Sequence, residues 1–176
     1  MKIQPVEPRW LKEYCSLELI DGVIVKTFNK NFPNHLDDRW QMHYDALRKI
    51  NPMPVEIYEI KDNKIFMEYI PGNMTLVQWM YKNGTSHSRL AFISEAIHRL
   101  CADILRLSKD LDAVFYQEDL NLTNFMIHEN KIRLVDPESF IFSKTINYMA
   151  MIQPHIHLSK VAHKIMEDTI SNTKFY

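Results

Sequence analysis

The stretch "YQEDLNLTNFMIHENKIRLVDPESF", Tyr116 to Phe140, sets Asp119, Asn124 five positions on and Asp136 twelve after that around short apolar runs. Two carboxylates and a side-chain amide are hard oxygen donors, the ligand type that Mg²⁺ takes and that Cys or Met does not supply. Magnesium held by such oxygens bridges nucleotide phosphates, so the three residues could form a phosphoryl-transfer site. They could equally be polar punctuation, because an Asp that opens a turn after an apolar strand, as Asp136 does before Pro137, is ordinary turn chemistry. The elements that position them decide between the two.

A cation for such a site comes from the first element. "SLELIDGVIVKTF" holds two apolar-rich runs around Asp21-Gly22, the pair a two-residue hairpin turn prefers because both positions take positive φ. The reading is a β-hairpin over 14–20 and 23–28, with Ile20 opposite Val23 and Leu17 opposite Lys26. Alternation then puts Lys26 on the face of Leu17, Leu19, Ile24 and Phe28. Either the lysine snorkels at the strand end, or it is a buried ammonium paired with a phosphate or carboxylate.

The rest of the chain follows by period and punctuation. "LDDRWQMHYDALRKI" spaces Leu36, Trp40, Tyr44, Leu47 and Ile50 as an amphipathic helix that Pro52 and Pro54 end. "VEIYEI" and "KIFMEYI" read as a second hairpin, stopped by Pro71-Gly72. Thr75 can cap a short helix that Gly84 closes. Leu90, Ile93, Ile97, Leu100, Ile104, Leu107 and Leu111 mark a long core helix, with Ser88 as its cap. "NFMI" and "IRLV" are two very short strands around a His128-Glu129-Asn130 turn, and about 152–169 forms one or two short helices.

Composition sets outer bounds. In 176 residues, 21 basic against 22 acidic side chains give no long-range field, so neither nucleic acid nor an anionic membrane is favoured as a partner. Cys15 and Cys101 lack metal or redox spacing and read as reduced core residues, which points to the cytoplasm. No apolar run approaches the roughly 18 residues of a membrane span. With only Gly22, Gly72 and Gly84, no Gly-rich phosphate loop can be drawn. His155, His157 and His163 lack the helix-face spacing and accompanying ligands of a metal site, and Trp10, Trp40 and Trp79 read as packing residues.

The order of elements and the motif residues together resemble the protein-kinase-like superfamily over about 14–140, above all its small-molecule branch of aminoglycoside and choline kinase-like phosphotransferases. The resemblance implies an α+β, two-lobe fold. Its N-terminal lobe, 1–70, would hold the antiparallel sheet and the 36–50 helix; its shortened, mainly helical C-terminal lobe, 71–176, would complete one compact domain. "VIVKTF" is similar to the strand whose lysine, here Lys26, meets the α- and β-phosphates of ATP. "MEYIPGNMTL" resembles the hinge, so that Met67, Glu68, Tyr69 and Ile70 would edge the adenine pocket. "EDLNLTN" resembles the catalytic loop, with Asp119 as the base for the attacking hydroxyl, and "IRLVDPESF" the turn whose Asp136 joins Asn124 on Mg²⁺.

The implied function is ATP- and Mg²⁺-dependent transfer of a phosphoryl group to a hydroxyl of a small molecule. The alternative is a kinase-like binding, regulatory or assembly module with weak or no catalysis, acting on a protein partner. Both are informed by departures from the pattern. Gln117 stands where the loop commonly has His, Glu118 adds a carboxylate beside Asp119, and Asp136-Pro137-Glu138 replaces Asp-Phe-Gly, a variation that favours small-molecule substrates. The 36–50 helix has no Glu for Lys26; the matching position is near His43, with Asp38, Gln41 and Asp45 in reach. About fifteen glycine-free residues precede the hairpin where a phosphate lid would lie, and forty follow Asp136, too few for a full helical lobe. A chain trimmed in this way, rich in Asn, Lys and Ile, fits a viral or phage origin. Burying an unpaired lysine costs several kcal/mol or its proton, so either another anion sits beside Lys26 or its strand face is open.

Overall fold

The computed structural model describes residues 15–29, 44–72, 74–110, 114–117, 120–137, 140–143 and 148–172. Strands β1 (Cys15–Ile20) and β2 (Val23–Phe28) form the expected hairpin, with Ile20 opposite Val23 and Leu17 opposite Lys26. Asp21 and Gly22 turn it at φ of 48° and 81°, the left-handed pair that matches the twist of the flanking strands. β3 (Ile57–Lys61) and β4 (Lys64–Glu68) form the second hairpin across Asp62-Asn63. The antiparallel sheet runs β1-β2-β4-β3, so the lysine strand is an inner one, held by neighbours on both sides.

Of the helix expected over 36–50, residues 36–43 lie outside the described residues; 44–47 are helical. Tyr44 ties this turn to the sheet, its hydroxyl donating to the Val55 carbonyl at 2.9 Å and accepting the Ile57 N–H at 2.6 Å. A short strand β5 (Met74–Thr75) leads into α1 (Leu76–Asn83). Thr75 Oγ1 accepts from Gln78 N at 3.2 Å while Gln78 Oε1 accepts from Thr75 N at 3.0 Å, a reciprocal cap, and Gly84 at φ 77° closes the helix. The long helix α2 (His87–Asp110) begins before Ser88. The Ser86 carbonyl accepts the Leu90 N–H at 3.0 Å, which puts Ser86 rather than Ser88 at the start.

The motif segment is built from short pieces. β6 (Val114–Gln117) pairs with β9 (Phe140–Ser143), two strands with no clear sequence signal. Between them a 3-10 turn (Leu122–Asn124) feeds β7 (Phe125–His128), which pairs with β5 and with β8 (Lys131–Leu134). Residues 148–172 form a single helix, α3 (Tyr148–Asn172), rather than one or two short ones, and Pro154 is accommodated inside it in a buried position.

The molecule is α+β, small antiparallel sheets plus helices. A large apolar cluster joins α1, α2, the 3-10 turn, β7, β8 and α3, with Ile93, Ile97, Leu100, Leu122 and Phe125 fully enclosed. A smaller one, Val55, Ile65, Met67 and Ile70, underlies the four-stranded sheet. Cys15 and Cys101 are not joined in a disulfide. Among the described residues no helix is long and apolar enough to cross a membrane.

Candidate active site

Lys26 lies on the inward face of β2, with the residue 7% exposed. Its Nζ donates to Asp136 Oδ1 at 3.1 Å, across 110 residues of chain, and stands 5.6 Å from the centre of the Phe28 ring, two positions along the same strand face. Among the described residues Asp136 is the anion beside the lysine. Of the helix residues in reach by sequence, Asp45 is exposed, while Asp38, Gln41 and His43 lie outside the described residues.

The two members of the pair differ in exposure, the lysine side chain at 9% and the aspartate at 40%. Among the described residues Asp136 Oδ2 accepts no hydrogen bond. Asp136 also has a φ of 55°, in the left-handed region that Asp and Asn enter more readily than other side chains. The following Pro137 disfavours helical backbone there, and the outlier is the kind of local strain that collects at functional positions.

Asn124 ends the 3-10 turn and is 8% exposed. Its carbonyl accepts the Val135 N–H at 2.7 Å, so the turn that carries Asn124 is bonded to the residue beside Asp136. The turn is built locally: Asn121 Oδ1 accepts from Thr123 N at 2.8 Å and from the Thr123 hydroxyl. Thr123 Oγ1 is also 3.3 Å from Asn124 Oδ1. From the far side, His157 Nδ1 on α3 accepts the Leu122 N–H at 3.0 Å. That histidine, set aside in the sequence as part of an unpromising cluster, supports the turn.

An aspartate carboxylate and an asparagine amide oxygen are donors that suit Mg²⁺. Among the described residues no three His, Cys, Asp or Glu side chains gather as a metal cluster, and the donors for an ion here are this carboxylate and amide. Asp119 and Glu118 lie outside the described residues.

Of the hinge residues, Met67 and Ile70 are buried in the core under the sheet, and Tyr69 is half-buried. Glu68 is engaged by Arg133 of β8, whose guanidinium meets Oε1 at 3.2 Å and also bonds Oε2. Arg133 further donates to the carbonyls of Met53, at 3.2 Å, and Pro54, at 3.0 Å. Neither this clasp nor the Lys26–Asp136 pair has a local signal in the sequence, because the partners are 65 and 110 residues apart. A groove of about 460 Å³ between Pro52, α2 and the β7–β8 turn is lined by none of Lys26, Asn124 and Asp136, whereas a depression of about 340 Å³ adjoins the 3-10 turn.

No protein-family model matches the chain, and neither does a curated protein. Among solved structures the chain is similar to choline kinase LicA from Streptococcus pneumoniae, at 16% identity and a TM-score of 0.44, over 88% of this chain and 70% of that one.

Proposed function

We propose that the chain is a compact kinase-like phosphotransferase, with lobes at 1–70 and 71–176, that moves a phosphoryl group from ATP to a hydroxyl of a small molecule in the cytoplasm. The observation that carries this reading is the convergence of Lys26 and Asp136 at 3.1 Å, with the Asn124 turn bonded to the residue next to Asp136. Turn chemistry alone has no need of a buried lysine at that aspartate.

Asn124 and Asp136 would hold Mg²⁺, which when bound supplies positive charge to the phosphates and to the charge that develops during transfer. Lys26 offsets negative charge on the nucleotide, and its inner strand fixes the position of the ammonium before any ligand arrives, so little reorganisation accompanies the reaction. Met67 to Ile70 would edge the adenine, with the Glu68 carboxylate held by Arg133. Asp119 orients the acceptor hydroxyl and takes its proton.

Thermal melting with and without Mg-ATP tests the reading, because a ligand that binds only the folded chain stabilises it by about 2.7 kcal/mol at a hundred times its Kd. Mg-ATP is expected to raise Tm in the native chain and to leave Asp136→Asn unmoved, with both melting cooperatively in buffer. An unmoved Tm for the native chain at millimolar Mg-ATP leaves the non-catalytic binding module instead.

A further inference from the structure

The 3-10 turn Leu122–Asn124 carries the amide assigned to magnesium, and the partners of its backbone donors can be followed one by one. The first N–H groups of a helical turn have no acceptor inside it, and a buried one needs an acceptor from elsewhere. Asn121 takes two of them, the Thr123 N–H on its side chain at 2.8 Å and the Asn124 N–H on its carbonyl at 3.0 Å. The Leu122 N–H remains, on a fully buried residue. Its acceptor is His157 Nδ1 at 3.0 Å, on α3 and 35 residues further along the chain.

That ring is held from behind. Leu158, Val161, Ala162 and Ile165 seat α3 in the large apolar cluster, the same cluster that encloses Leu122 and Phe125. A histidine side chain turns about few torsions, so a helix fixed in this way presents Nδ1 at a well-defined point. On the other side the Asn124 carbonyl accepts the Val135 N–H at 2.7 Å, from the residue beside Asp136. Asn124 therefore stands between two fixed points. Apolar packing of Leu122 and Phe125 is enough to keep the turn in the fold, but it is not directional. A hydrogen bond is, and it sets the rotation of the peptide that leads into the turn.

We propose that His157 is a positioning residue for the metal, acting through the Leu122 N–H to hold the Asn124 amide oxygen in place as a partner of Asp136 for Mg²⁺. This role rests on the phosphotransferase reading and adds to it a residue from outside the motif segment. Groups that orient metal ligands without touching the metal change its affinity by about ten- to a hundredfold. The neutral ring with its proton on Nε2 is the form that accepts at Nδ1. His157 is half-buried, so its replacement leaves the closed part of the core intact.

Calorimetric titration of the full chain with Mg-ATP, and with ATP in EDTA, tests the role, together with hydrogen exchange at the Leu122 amide. His157→Leu removes the acceptor, whereas His157→Asn restores one, its Oδ1 standing close to the position of the imidazole Nδ1. The leucine variant should bind Mg-ATP about tenfold or more weakly, bind metal-free ATP as the native chain does, and exchange the Leu122 amide faster. His157→Asn should recover most of both losses. In an Asn124→Ala background the leucine change should cost no further Mg-ATP affinity, because the amide through which it acts is already gone. An unchanged Mg-ATP affinity in His157→Leu, an equal loss for metal-free ATP, no recovery in His157→Asn or a full additional loss beside Asn124→Ala overturns the role. A His157→Leu chain that does not melt cooperatively overturns it as well, since packing is then not enough to hold the turn. The native chain separates the two levels. Mg-ATP binding there with any of these failures in the variants defeats the positioning role alone, while a native chain that binds no Mg-ATP defeats the phosphotransferase reading and the metal role with it, whatever the Leu122 amide does.

Discussion

Among the described residues two ion pairs join the four-stranded sheet to the β7–β8 hairpin and the turn after it, and they are built to opposite specifications. Arg133 presents its planar fork to both oxygens of Glu68 and gives two further donors to the Met53 and Pro54 carbonyls, while Glu68 also accepts the Glu56 N–H at 3.0 Å. Lys26 reaches Asp136 through a single oxygen, leaves the other without a hydrogen bond from described residues, and meets an aspartate in left-handed backbone with a 40% exposed side chain. The first pair is a clasp with its hydrogen-bonding capacity used within the chain. The second leaves one carboxylate oxygen without a hydrogen bond from the described residues. A fold that needed only to fasten these two parts together would have no reason to place the flexible point charge of a lysine where a fork could bind twice.

The largest effect that sharpens this contrast is on transfer itself. Lys26→Ala should lower the rate by about a hundredfold or more, the scale of removing one fixed electrostatic group from a reaction site. It should change Tm little, because Asp136 is open enough to be hydrated once its partner is gone. Rate and melting temperature measured on one preparation check both halves, and a variant that melts early with an unchanged rate per folded molecule would reverse the assignment.

Arg133→Ala is expected to behave in the converse way. It strands a carboxylate whose side chain is 27% exposed and two carbonyls, and should cost about 2 kcal/mol of stability in denaturant titration. The Tm increment caused by Mg-ATP should survive. Arg133→Lys should recover only part of the loss, since an ammonium cannot meet both oxygens in the plane of the fork. If the arginine variants lose the nucleotide response while remaining folded, the division into clasp and reactive pair fails.

These pairings mark where the sequence stops being legible. Asp21-Gly22 and the alternation after it were enough to set Leu17 opposite Lys26, because a tight turn fixes register locally. The apolar spacing from Leu90 to Leu107 foretold α2, and Thr75 with Gly84 bounded α1, because caps act within one turn of the chain. The Asp-x4-Asn spacing and the aspartate twelve positions on marked Asp119, Asn124 and Asp136 as companions, though not which anion Lys26 would meet. That needs the sheet and the β7–β8 hairpin to close on each other, as does the meeting of Glu68 with Arg133. β6 and β9 escaped notice because their pairing joins Val114 to Ser143 across the whole motif segment, and neither four-residue strand has enough length to show a period. The unbroken α3 was hidden by Pro154, whose missing N–H removes one bond but not the packing of Leu158, Val161 and Ile165.

The smallest effect concerns a pair of like charge. His155 on α3 is shifted below the ordinary histidine value, first by burial and then by His98 on α2, in contrast to the opposite charges that meet at Lys26 and Arg133. Its lowered affinity for protons in the folded chain fixes the sign. The unfolded chain takes up the proton first as pH falls, so the stability contribution is fully present above about pH 6.5 and declines below it. Melting temperature should therefore drop between roughly pH 7.5 and 5.5, and His155→Gln should drop less over the same interval. Equal slopes for the two chains would mean that α3 carries no such penalty.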